Sequence, residues 1–158
     1  MNGEKYELLQ FHFHAPSEHQ INGEKFALEG HFVHKNQKGE LAVVGVLFKE
    51  GKANSALQKL ISFVRNEHGE GQKKTIPFGR LLPLKDTRTF RYHGSLTTPP
   101  YTKNVKWLLF KTPMTVGAKH LAAMRELFMV NKHREPQLLN ERFGVLDSHS
   151  DAVAEAGE

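Results

Sequence analysis

The strongest constraint on this chain lies in two short runs, Gln10-Phe11-His12-Phe13-His14 and Glu29-Gly30-His31-Phe32-Val33-His34. Strand side chains alternate between faces, so in an extended run Phe11 and Phe13 point one way while Gln10, His12 and His14 point the other. Between the runs lies Asn22-Gly23, the strongest hairpin signal in the sequence, and residues 25–34 alternate well enough to form the returning strand. With Asn22 and Gly23 as a two-residue loop, paired positions sum to 45, which sets His14 opposite His31, with Cβ atoms about 5 Å apart. All three histidines then share one face. A one-residue slip would turn His31 away, a two-residue slip would keep the face and change only the height, and Ala15-Pro16 is where a bulge could enter.

Three neutral imidazoles converging on one point, with a fourth position open, are what a catalytic zinc site needs. A lone His-x-His on a strand is more often a half-buried polar pair. Here each outer histidine also has a partner on its own strand face. Glu29 stands two residues before His31 and Gln10 two before His12, each able to accept the ring N–H and so fix the tautomer.

The second informative run is Tyr92-His93-Gly94-Ser95-Leu96-Thr97-Thr98-Pro99-Pro100. Each proline fixes its own φ and restricts the residue before it, so the two threonines sit in a stiff loop. Alone this is a weak signal, since Thr-Thr-Pro-Pro is common in linkers. Beside a histidine metal site it gains a use: a hydroxyl that accepts a hydrogen bond from a metal-held hydroxide, while donating its own proton to a carboxylate, selects that oxygen's orientation. Thr97 is the candidate hydroxyl and Glu18 the candidate carboxylate.

The 158 residues suffice for one domain with a sizeable core. The net charge of +5 is spread along the chain without a basic block, which argues against nucleic acid as a partner. No cysteine is present, so any metal must use nitrogen and oxygen ligands. No apolar run approaches the roughly 20 residues of a membrane span, and Met1-Asn2-Gly3-Glu4-Lys5 has no signal-peptide core. Residues 41–48 read as a buried third strand beside the first two. Residues 53–68 read as a helix with Asn54 or Ser55 as cap, and residues 117–128 as a second helix. Short strands are expected at 81–84, 89–93 and 105–111. The fold class is α+β and mainly β: a central twisted, mostly antiparallel sheet with a few surface helices. One domain spans 1–146, and the small, polar, acidic residues 147–158 read as a flexible tail.

The runs 10–14, Ser17-Glu18-His19, 29–34 and 94–100, in this order, resemble the α-class carbonic anhydrases of bacterial type. The similarity continues through 41–51 and 105–111 to Asn131, Arg134 and Gln137. The resemblance implies zinc bound by His12, His14 and His31, supported by Gln10 and Glu29, with Thr97 as gatekeeping hydroxyl and Glu18 as its partner. Thr98 would sit beside the substrate, and Val33, Val43, Leu96, Val105 and Trp107 would line the apolar side of the cavity. The implied reaction is reversible hydration of carbon dioxide to bicarbonate and a proton by a zinc-bound hydroxide.

The chain begins just before the first ligand strand, where the family has an N-terminal portion that supplies further strands, cavity wall and often a proton-shuttling histidine. The expectation is therefore an N-terminally truncated form of the fold, with an exposed sheet edge that invites homo-oligomers. No histidine matches the shuttle; His19, His34, His68, His93, His120, His133 and His149 read as surface, packing or tail residues. The resemblance implies a periplasmic or extracellular home if a longer precursor exists. Two other classes remain at this stage. One is a non-catalytic binding module of the same family. The other is a cupin-like metal barrel, in which Glu18 would be a fourth ligand, though no second cupin motif follows.

Overall fold

The computed structural model describes residues 3–65, 78–128, 145–146 and 154–155. The first ligand run forms β1 (Tyr6–His14). A small hairpin, β2 (Gln20–Ile21) and β3 (Glu24–Lys25), follows, then the long strands β4 (Leu28–Asn36) and β5 (Leu41–Glu50). Helix α1 (Ser55–Arg65) and a 3₁₀ turn at Phe78–Leu81 come next among the described residues. Then come β6 (Thr89–Ser95), β7 (Lys103–Phe110), β8 (Met114–Val116) and α2 (Ala118–Phe128), with short pairings at β9 (Val145–Leu146) and β10 (Ala154–Glu155).

The main sheet has the order β1-β4-β5-β7-β6-β9, with β8 also on β5; β10, β2 and β3 make a second, small sheet. It is mostly antiparallel, as expected, but β5 pairs with β7 and β8 in parallel. The sheet is therefore mixed. Asn22 and Gly23 both have positive φ, as a tight I′-type hairpin requires, and Gln20 pairs with Lys25 as the two-residue loop dictates. The longer pairing does not continue that register. His12 lies opposite His31, and His14 opposite Glu29. Between His14 and Gln20 the outgoing chain carries two residues more than the returning one has between Lys25 and Glu29. The slip is two, which preserves every side chain's face. Ser17 occupies the gap, its N–H donating to the Phe26 carbonyl, its Oγ accepting the Phe26 N–H and donating to the His19 carbonyl.

The face of β1 opposite the histidines packs the core. Phe13, Phe32, Val46 and Phe48 meet Leu57, Leu60 and Ile61 of α1 and Leu121 and Met124 of α2. Asn54, not Ser55, caps α1, its Oδ1 accepting from the N–H groups of Ala56 and Leu57. Helix α1 begins at Ser55 and is described to Arg65; the rest of the expected span, to 68, lies outside the described residues.

The strand expected at 81–84 does not form. Pro83 offers no ladder N–H, the Leu84 N–H turns back to the Leu82 carbonyl, and Leu81 is instead a core anchor. Strands at 89–95 and 103–110 and the second helix form close to the expected positions; β8 was not anticipated. Of residues 147–158, only Ala154–Glu155 is described, paired with β2. No helix among the described residues is long and apolar enough to cross a membrane.

Candidate metal centre

Alternation along β1 and the cross-strand register bring His12, His14 and His31 together. Their ring centroids are 5.0 Å (His12 to His14), 5.1 Å (His12 to His31) and 4.7 Å (His14 to His31) apart. One nitrogen from each lies within 4.8 Å of the others, which makes them a group able to hold a metal ion. The tautomers follow from the partners. Gln10 Oε1 is 2.9 Å from His12 Nδ1 and can only accept there, so Nε2 keeps its lone pair. Glu29 Oε1 is 2.7 Å from His31 Nε2, which leaves His31 Nδ1 as the free nitrogen. These two free nitrogens are 3.2 Å apart. Two nitrogens bound tetrahedrally at about 2.0–2.1 Å to one zinc stand about 3.3 Å apart, so the donors present fit that ion.

Charge in the site is arranged by burial and by Glu29. Burial and the neighbouring charge of His31 push the His12 pKa down to about 4 against the pull of Glu29, so His12 is neutral at physiological pH. Burial alone would raise the Glu29 carboxyl, but the charges of His19 and His31 and their hydrogen bonds hold it well below the usual range. Burial would likewise lower His31, and the Glu29 carboxylate overrides this to raise it.

His19, read from the sequence as a bland histidine, is wholly buried at the back of this site. Its Nδ1 is 2.5 Å from Glu29 Oε1, and its Nε2 is 2.6 Å from the Tyr92 hydroxyl. Glu29 Oε2 accepts the backbone N–H groups of Glu18 and His19, both at 2.9 Å. His19, Glu29 and His31 form a second group of potential ligands. Their 2.5 and 2.7 Å contacts to one oxygen are hydrogen-bond lengths, too short for the edges of a metal polyhedron, so protons hold this cluster. The signal for it was the Ser17-Glu18-His19 run, which the alternation argument did not use.

The remaining site residues fall around the triad. Glu18 is buried, with Oε2 3.5 Å from His14 Nε2. Thr97 is buried and Thr98 half-buried in the loop from β6 to β7. That loop is closed by the Leu96 N–H to the Thr102 carbonyl and the Tyr101 N–H to the Thr98 carbonyl. Val33, Val43, Val105 and Trp107 are buried in one cluster with Tyr92, and Leu96 and Leu41 pack on it. Its indole stands 4.9 Å from the His31 ring, so the apolar wall adjoins the triad. Asn131, Arg134 and Gln137 lie outside the described residues.

Three histidines able to hold a metal ion thus stand on a mixed sheet, beside an apolar wall and a buried threonine hydroxyl. Residues 1–149 match the eukaryotic-type carbonic anhydrase family, and the chain belongs to it. A carbonic anhydrase from Pectobacterium carotovorum is 38% identical over 144 residues, covering 90% of this chain and 59% of the relative. The structure of the Photobacterium profundum α-carbonic anhydrase superposes with a TM-score of 0.78 at 38% identity, covering 92% of this chain and 66% of that one. Dioscorin complexed with ascorbate superposes with a TM-score of 0.77 at 30% identity, covering the whole of this chain and 65% of that one. The chain thus spans about six-tenths of the length of the Pectobacterium relative.

Proposed function

We propose that this protein catalyses the reversible hydration of carbon dioxide to bicarbonate and a proton, with zinc held by His12, His14 and His31. The observation that carries the reading is the convergence of three imidazoles directly beside the apolar cluster of Val33, Val43, Val105 and Trp107. Zinc held there would act as a Lewis acid that lowers the pKa of water to about 7, a value characteristic of carbonic anhydrases as a class.

The chain's own groups do the rest. Gln10 and Glu29 hold the tautomers of His12 and His31 so that lone pairs, not protons, face the ion. Thr97 donates its hydroxyl proton to the Glu18 carboxylate and turns its oxygen toward the open ligand position, where only a group bearing a proton is accepted. Val33, Val43, Leu96, Val105 and Trp107 exclude water from the place where carbon dioxide rests, and Thr98 contacts the product beside it. In assembly, β1 has β4 as its one paired strand among the described residues, and Leu8 and Leu9 on it are 39% and 57% exposed. A second copy pairing there would give a homo-oligomer. Leu9→Lys should then lower the mass measured by light scattering, and an unchanged mass refutes the edge contact.

The deciding experiment measures bound zinc and stopped-flow hydration for the unmodified chain, His31→Ala and Thr97→Ala. His31→Ala should lose both zinc and rate, and Thr97→Ala should keep zinc and lose rate. Equal zinc and equal rate in the unmodified chain and His31→Ala refute the site. A second reading, a binding module without turnover, is favoured by the likeness to dioscorin, a protein seen with ascorbate. Bound zinc without hydration in the unmodified chain would select it.

A further inference from the structure

We infer that Lys106, Glu40 and Tyr6 are positioning residues, a clasp across the parallel junction of β5 and β7 that keeps one end of the apolar wall closed to all but small substrates. Its consequence for substrate rests on the carbon dioxide reading above, but its geometry stands on the chain alone. Backbone pairing between β5 and β7 begins at Ala42 with Lys106 and runs to Gly45 with Leu109. Leu41 and Val105, which both belong to the wall, lie just before that beginning, Leu41 paired to β4 and Val105 to β6. At this end the junction is closed by side chains instead of a ladder.

Lys106 Nζ donates to the Tyr6 hydroxyl at 3.0 Å and to Glu40 Oε2 at 3.1 Å, and stands 5.7 Å from the centre of the Tyr6 ring. The Tyr6 hydroxyl donates in turn to Glu40 Oε2 at 3.3 Å, so one carboxylate oxygen joins β1 and β7 to the turn between β4 and β5. An isolated surface ion pair gains little, because two long side chains must be ordered to make it. Here the carboxylate is ordered beforehand. Asn36 Oδ1 accepts the backbone N–H groups of Lys38 and Glu40 at 3.0 and 2.8 Å, which shapes the turn, and its Nδ2 donates to Glu40 Oε2 at 2.7 Å. The bonds from Tyr6 and Glu40 raise the Lys106 pKa, and the bond from Lys106 lowers that of Glu40, so both charges are present at physiological pH.

Strand alternation carries the clasp to the wall. Lys106 lies between Val105 and Trp107 in β7 and points to the opposite face of the sheet, while Glu40 immediately precedes Leu41. Drawing Lys106 toward Glu40 therefore draws Val105 toward Leu41. The next wall residue, Trp107, donates its indole N–H to the Ser95 carbonyl at 3.0 Å and sets its ring 4.9 Å from that of His31. The strand that the clasp holds is thus the one that faces the histidines. With the clasp released, this end of β7 is held by β6 alone, and the gap between Leu41 and Val105 opens to water and to larger groups.

Trp107 is the chain's one tryptophan, so its indole N–H gives a single NMR signal whose exchange with solvent reports on the wall. In the metal-free chain, Lys106→Met should speed that exchange about three- to fivefold, the factor of one well-ordered ion pair, with little dependence on urea because the opening is local. Lys106→Arg should restore most of the protection. Salt at about 1 M, which screens charges beyond about 3 Å, should speed exchange in the unmodified chain and not in Lys106→Met. Leu57→Ala, which weakens the packing of α1, is the control for lost stability. In the zinc-loaded chain, a substrate too large for the closed wall turns over in proportion to the open fraction. Hydrolysis of para-nitrophenyl pivalate relative to carbon dioxide hydration should therefore rise by a similar factor in Lys106→Met at equal zinc content, and not in Leu57→Ala. Unchanged exchange in Lys106→Met, or an equal salt response in the two chains, overturns the clasp. Faster exchange with an unchanged substrate ratio overturns its part in specificity. Failure of the unmodified chain to hydrate carbon dioxide strikes the proposed function and leaves the exchange result to decide this inference.

Discussion

Replacing Glu29 by Gln changes one atom and no volume, yet it should disable the metal centre through the direction of its hydrogen bonds. The side chain has donors on both sides: backbone N–H groups of Glu18 and His19 at one oxygen, and the rings of His19 and His31 at the other. An amide can satisfy only one side as an acceptor. The backbone donors cannot reverse, whereas an imidazole can exchange its tautomer, so the amide oxygen takes the backbone side and its NH₂ turns to the rings. His31 must then accept at Nε2 and carry its proton on Nδ1, the nitrogen that stands 3.2 Å from His12 Nε2 and would face the metal. Loss of such a partner typically weakens metal binding 10- to 100-fold, or about 1.4–2.7 kcal/mol. The assay is a chelator competition for zinc beside a far-ultraviolet dichroism spectrum, which should be unchanged. A Glu29→Gln chain that folds and binds zinc within twofold of the original would refute the tautomer argument.

Four further outcomes follow from the same structure. Because His31 is raised and His12 is lowered to about 4, the protons displaced on zinc uptake should come from His31 rather than from His12; potentiometry with and without Glu29→Gln checks this. In the metal-free chain the two oppose each other: the depressed His12 costs stability as pH falls from about 6.5 toward about 4, whereas His31 adds stability below its unfolded value and loses it as pH rises through its raised one. His12→Phe should therefore flatten the acid side of the stability profile, read by urea melts from pH 4 to 7. Gly30→Ala would set a Cβ 2.8 Å from the Phe13 ring, and should cost about 1–3 kcal/mol in the same melts; a neutral result would show that the ring has room to move. Val43→Phe should fill the apolar wall and slow hydration while zinc content stays constant, and an undiminished rate would place carbon dioxide elsewhere.

Much of the site was legible because its determinants are local. Period-two alternation alone places Gln10, His12 and His14 on one face and Phe13 in the core, and Asn-Gly with positive φ at both residues folds the return strand over them. The register was misjudged by two because the compensating segment, residues 15–19, is held by Ser17 hydrogen bonds to Phe26 and His19, which no periodicity announces. The parallel pairing of β5 with β7 joins strands some sixty residues apart and has no local signature. Tyr92 and His19 are 73 positions apart, so their bond is equally silent in the sequence. The apparent strand at 81–84 shows the reverse failure: a real apolar signal, Leu81, used to anchor a 3₁₀ turn.

The parallel junction between β5 and β7 has a consequence for how the active centre comes into being. On one side of it, β1, β4 and β5 form an antiparallel meander that carries all three histidines and Glu29 within residues 6–50. On the other, β6 and β7 bring Tyr92, Thr97, Val105 and Trp107. Closing that junction spans a long loop, which by the usual dependence of rate on contact separation is the slow event in folding. The ligand half should therefore take shape first, as a local hairpin able to gather a metal ion. The apolar wall of Val105 and Trp107 is added only when the second half docks, so the gathering of the histidines and the closing of the wall beside them are separate steps in the folding of one chain.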